Sequence, residues 1–171
     1  MWKNIETQND IDNFMKETAG FHDSCIVEMH YKSGNFVEES GAMCLATEPY
    51  MYITFHSQMA KIPAFEMELG MLDRFSIIFD LKYTLEIYDV LFEKRDDGFY
   101  WYSDENGRYH IENGHENVNY WFRCQTLRWR EIPLTHPCDV SIEQQIQSNG
   151  WNTRLKYWAM LRPLLLYRPA A

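Results

Sequence analysis

The segment Ala64-Phe65-Glu66-Met67-Glu68-Leu69 alternates apolar and acidic side chains, setting Phe65, Met67 and Leu69 on one face and both glutamates on the other. A period of two matches the pleat of a strand with one buried face, not the 3.6-residue period of a helix. Similar extended segments follow one another along the chain. Tyr50-Met51-Tyr52-Ile53-Thr54-Phe55-His56 is aromatic and β-branched, and residues 43–47, 75–79, 84–94, 99–102 and 117–130 have comparable content. Turn signals separate them at Ser33-Gly34-Asn35, Asp96-Asp97-Gly98, Asn106-Gly107 and Asn113-Gly114. The last two dipeptides bracket residues 108–112, which read as a short strand. Pro49 implies an edge or a bend, and Gly70 a bulge. Strands joined by short turns, with no helices between them, predict an α+β domain dominated by an antiparallel meander. Closure into a half-barrel and packing as a sandwich are both compatible with this pattern.

An N-terminal helix is expected over residues 7–18. Thr7 or Asn9 would cap it, Asp10 and Asp12 would sit in its first turn, and Ile11, Phe14, Met15 and Thr18 would face inward before Gly20 ends it. The strand at residues 23–32 would place Cys25, Val27, Met29 and Tyr31 on a core face, with Ser24, Glu28, His30 and Lys32 on the wet face. Pro133 and Pro137 mark a linker into helical stretches near 140–148 and 152–162. The expected organisation is one domain over residues 1–132 and a helical extension over 133–171.

The chain of 171 residues is 46% hydrophobic, enough to build a core, and its formal net charge is −9. Residues 144–171 hold four of the 16 basic side chains and none of the 25 acidic ones, so the body is strongly acidic. Such a body repels phosphate backbones and anionic lipid, which argues against nucleic acid and membrane and favours a basic protein partner. Cys25, Cys44, Cys124 and Cys138 are scattered, without a C-x-x-C pair or a hydrophobic leader, and no apolar run reaches the roughly 18–20 residues needed to span a bilayer. These features predict a cytoplasmic protein with free thiols, Cys25 and Cys124 being buried in strands.

Chemistry is sparse. His22, His30, His56, His110, His115 and His136 form no metal-ligand motif, and no glycine-rich phosphate loop is present, so neither metal nor cofactor is expected. His22 and Glu28, though near in sequence, would stand roughly 20 Å apart along a strand. Adjacent residues on a strand point to opposite faces, so His22 and Asp23 would not pair directly if the strand began before them, and Asp23 would bond to nearby backbone. The expected contact surface is a set of carboxylates, Glu66, Glu68, Asp96, Asp97, Asp104 and Glu105, around the aromatic anchors Trp101 and Trp121. The alternative is a small-molecule-binding or hydrolytic domain using the His22 and Asp23 region beside a cavity of Trp101, Tyr102 and Trp121.

Three stretches add a resemblance: Phe21-His22-Asp23-Ser24-Cys25-Ile26-Val27-Glu28-Met29-His30-Tyr31, Met1-Trp2-Lys3-Asn4 and Leu127-Arg128-Trp129-Arg130-Glu131. Over about residues 1–131 the chain resembles small uncharacterised bacterial proteins, in the pool that includes immunity proteins of polymorphic toxin systems. The resemblance implies a bacterial cytosolic protein that binds a toxin domain, and it carries no catalytic residues with it.

Overall fold

The computed structural model describes residues 1–78, 86–114 and 120–134. The chain divides into two units, Met1–Leu134 and Thr135–Ala171. The second unit lies outside the described residues, as do the helical stretches expected there, Cys138, His115 and His136.

The first unit is α+β and sheet-dominated. Strands β1 (Lys3–Ile5), β2 (Ser24–Lys32), β5 (Tyr50–Ser57), β6 (Ala64–Gly70), β8 (Glu86–Ile87) and β12 (Thr126–Glu131) form a six-stranded sheet in the order β1-β12-β6-β5-β2-β8. A second sheet, in the order β7-β11-β10-β9, joins β7 (Arg74–Ile77), β9 (Leu91–Arg95), β10 (Gly98–Tyr102) and β11 (Tyr120–Cys124). A small hairpin pairs β3 (Phe36–Val37) with β4 (Met43–Cys44). Every pairing is antiparallel, and neither large sheet closes on itself among the described residues. The order is sequential in β9-β10-β11 and β5-β6. It departs from a simple meander where β12 inserts between β1 and β6.

Helix α1 (Gln8–Glu17) begins as its sequence dictates. Thr7 and Asp10 form a reciprocal capping box, and the Thr7 and Glu6 amides also donate to the Asp10 carboxylate at 2.9 and 3.1 Å. Those bonds, led by the one from the Thr7 side chain, hold the Asp10 carboxyl below its ordinary value. Ile11 and Phe14 are buried on the inward face. Phe14 then packs on aromatic rings from four other places in the chain: Phe21, Phe65, Phe92 and Trp129, at centroid distances of 4.8 to 6.3 Å. Phe21 and Phe55 in turn touch Trp101, at 5.6 and 5.9 Å, so one aromatic cluster joins the helix to both sheets.

Five local readings change. In β2, Ile26 pairs with Phe55 and Glu28 with Thr54, leaving Val27 as the extra residue of a bulge. The bulge inverts the side-chain parity, so Ser24 is buried and Ile26 half-buried on the inner side, whereas Cys25 and Val27 are exposed. Residues 117–130, read as one strand, are divided at Gln125: β11 buries Tyr120, Phe122 and Cys124, and β12 buries Leu127 and Trp129 in the other sheet. The expected strand at 84–94 likewise contains β8 and β9 in different sheets, its residues 84 and 85 lying outside the described residues. Residues 108–112 are helical, within α2 (Gly107–Glu112), where Arg108 bonds Glu112 one turn later at 2.9 Å. A six-residue segment is too short for periodicity to separate helix from strand. Gly70, expected at a bulge, ends β6 where a Cβ would stand 2.2 Å from the Thr126 hydroxyl, a close approach only glycine permits.

Phe14→Ala is expected to destabilise the domain by about 3–5 kcal/mol, because it empties the point where the helix meets both sheets. Urea unfolding followed by tryptophan fluorescence measures this. A loss below about 1 kcal/mol would show that the cluster is not the keystone of the core.

Candidate functional site

His22 closes a short 3-10 turn, Ala19–Phe21, and Asp23 adopts a left-handed conformation, φ 52°, before β2 begins at Ser24. The strand therefore starts after the pair, and the side chains meet: His22 Nδ1 lies 3.2 Å from Asp23 Oδ2. This corrects the expectation of a purely local backbone bond. The imidazole is half exposed and its ring lies 6.3 Å from that of Tyr88.

The carboxylates expected to form one contact surface are distributed over several places. Glu66 and Glu68 lie on the outer face of the six-stranded sheet, opposite the core, and each is already paired. Arg128 Nη2 donates to Glu68 at 2.7 Å and Arg130 Nε to Glu66 at 2.6 Å. Asp97, in the β9–β10 turn with Asp96, accepts from the Tyr100 hydroxyl at 2.7 Å and from Arg123 at 3.1 Å. Those partners, Tyr100 first, hold its carboxyl below the ordinary value. Asp104 accepts from the Asn106 amide at 2.7 Å in the turn after β10, and Glu105 is its exposed neighbour. Trp121 is half-buried and stacks on Tyr102 at 6.1 Å.

Trp101 is fully enclosed and stacks on Phe122 at 5.3 Å, so it belongs to the core and offers no surface to a partner. All five residues of β10 are buried, because both faces of the small sheet are covered. Phe99 and Trp101 face the shared core. On the other side, Tyr100 and Tyr102 lie against Ile111 of α2 and under the Arg95 guanidinium, which stands 4.0 Å from the Tyr100 ring.

On the outer face of the large sheet, pairing aligns Asn4, Arg128, Glu68, Tyr52 and His30 across β1, β12, β6, β5 and β2. The next row aligns Arg130, Glu66, Thr54 and Glu28. Trp2 lies over both arginines, with the guanidiniums 4.8 and 4.5 Å from its ring. Two of the stretches that carry the resemblance thus meet here, and their joint work is to hold β1 against β12. The face is an interleaved pattern of charges rather than an acidic patch. A cavity of about 330 Å³ opens at its β12 end, among residues of β1, β12 and the β9–β10 hairpin.

What sequence reasoning missed is the exposure of the connection between β2 and β5, whose extended segments at 36–37 and 43–44 it had read. Residues 33–49 leave the sheet after the Lys32–Tyr50 pair and form an arm built on the β3–β4 hairpin. Its large apolar side chains face solvent: Phe36 is 59% exposed, Val37 64%, Met43 70% and Leu45 71%. Local bonds shape it. The Ala46 amide donates to Asn35 Oδ1 at 2.8 Å, and the Glu38 and Gly41 amides close the tip at 2.9 Å each. Gly34 sits at its root with φ 76°, where a Cβ would come within 2.7 Å of that of Ala46. From Ser33 to Ala60 the sequence contains Glu38, Glu39 and Glu48 and no lysine or arginine. That stretch was the available signal, since an acidic segment with apolar residues and no cation has no means of pairing its own charge.

Comparison with protein-family models, curated proteins and solved structures found no match for this chain. No helix among the described residues is long and apolar enough to cross a membrane.

Burial raises the phenols of Tyr52, Tyr102 and Tyr120 above the ordinary value of 10, and a bond to Glu68 adds to the effect at Tyr52. A raised folded value means that the stability these groups contribute is fully present below about pH 10 and is lost as pH rises through the folded values. The melting temperature is expected to hold up to about pH 9.5 and to fall above about pH 10, with phenolate absorbance at 295 nm rising alongside unfolding. A flat melting temperature to about pH 12 would mean that the rings are not desolvated.

Proposed function

We propose that this chain is a protein-binding domain that acts by recognition rather than catalysis, with the 33–49 arm as its principal contact. The observation that carries the reading is the exposure of Phe36, Val37, Met43 and Leu45 on a two-stranded hairpin. An isolated pair of strands is marginal in water, and burying its apolar side chains on a partner would stabilise it. The carboxylates of Glu38, Glu39 and Glu48 beside those side chains suit a basic partner with an apolar groove. A toxin domain is the partner that the resemblance implies, and the reading makes the chain an immunity-like protein of the bacterial cytoplasm. The acidic contact is assigned to the arm rather than to the sheet face, where Glu66 and Glu68 are neutralised by Arg130 and Arg128. The His22–Asp23 pair supports a second reading, a small-molecule or hydrolytic site, through its 3.2 Å contact.

The test is capture from lysate by the tagged chain and by a Phe36→Ser, Leu45→Ser variant, compared at low and high salt. A basic protein should be retained by the native chain and weakened about tenfold or more by high salt. The variant should lose it while keeping the native melting temperature, and His22→Ala should keep it. Equal capture by the arm variant would remove the arm from the interface, and loss in His22→Ala would favour the second reading.

A further inference from the structure

Independently of the arm, we propose that the cavity where β1 and β12 meet the β9–β10 hairpin binds a small zwitterion, of which a free α-amino acid is the simplest form. Its volume of about 330 Å³ is of the size that holds small ligands, and its lining mixes both signs of charge with apolar surface. Lys94 and Arg128 supply the cations, Glu6 and Glu68 the anions, and Phe99 and Leu127 the apolar wall.

Arg128 and Glu68 pair with each other, and the other two charges are not matched internally. The Lys94 ammonium lies 4.5 Å from the Phe99 ring and makes no ion pair among the described residues. Arg128 is matched, its Nη2 donating to Glu68 at 2.7 Å. The Glu6 carboxylate likewise has no cationic partner among the described residues, its backbone amide being the group that bonds Asp10.

The pattern selects for a ligand carrying both charges. A simple anion attracted to Lys94 and Arg128 would also meet Glu6 and Glu68, and a simple amine would face the reverse conflict. A zwitterion satisfies both: its carboxylate takes the Lys94 ammonium, and its ammonium takes Glu6.

Calorimetric titration of the full chain at low ionic strength with the common α-amino acids tests this, with acetate and ethylamine as singly charged probes. At least one amino acid should bind saturably and raise the melting temperature, and neither control should. Lys94→Gln and Glu6→Gln should each weaken binding about tenfold or more, with the melting temperature of the unliganded variant unchanged. Three results would overturn the proposal: no saturable binding of any amino acid, equal binding of acetate, or native affinity in both variants. Because neither Lys94 nor Glu6 lies on the arm, these outcomes are independent of whether the arm binds protein.

Discussion

The aromatic cluster centred on Phe14 is the constraint on which the remaining architecture depends. A single helix of ten residues could not stabilise two open sheets through backbone bonds. It does so because Phe14 meets rings from the 3-10 turn, β6, β9 and β12 at once, largely in edge-to-face geometry. Phe21, Phe55 and Phe65 extend the contact to Trp101. The helix, the six-stranded sheet and the four-stranded sheet therefore share one core. The long-range pairing of β1 with β12 is held from the inner side by Ile5 and Leu127, both buried, and from the outer side by Trp2 over Arg128 and Arg130.

With the core fixed, charge decides where the molecule can interact. The outer face of the large sheet places glutamates opposite arginines, so its carboxylates find partners within the fold. Arg123 acts similarly at the small sheet, binding Asp73, Asp97 and Tyr100. Among the described residues, two places combine unmatched charge with apolar side chains, and they differ in character. The arm carries carboxylates beside exposed apolar side chains, which suits a macromolecular surface. The cavity carries both signs side by side, which suits a small molecule.

Much of the fold could be read directly because it rests on local physics. The capping box at Thr7 and Asp10, the helix it starts, and the alternation of Phe65, Met67 and Leu69 need only neighbouring residues. Where reading failed, one residue changed the phase. Val27 inverts β2, and Gln125 passes the chain from one sheet to the other in mid-pattern. The three-residue strand β1 was missed because it is defined by its partner β12, more than a hundred positions away, rather than by its own composition. The candidate site was less legible. Acidic residues are visible in a sequence, but whether an arginine stands opposite each of them depends on strand order.

By itself, the sequence determined an acidic, sheet-rich α+β chain with an N-terminal helix, since these properties follow from composition, periodicity and capping between residues close in the chain. Only the tertiary structure decided that Trp101 is core, that Glu66 and Glu68 are neutralised, that His22 meets Asp23, and that Phe36 and Leu45 remain in solvent. The reason is that burial and charge pairing are properties of neighbours in space. A single bulge or sheet crossing reassigns every neighbour that follows it.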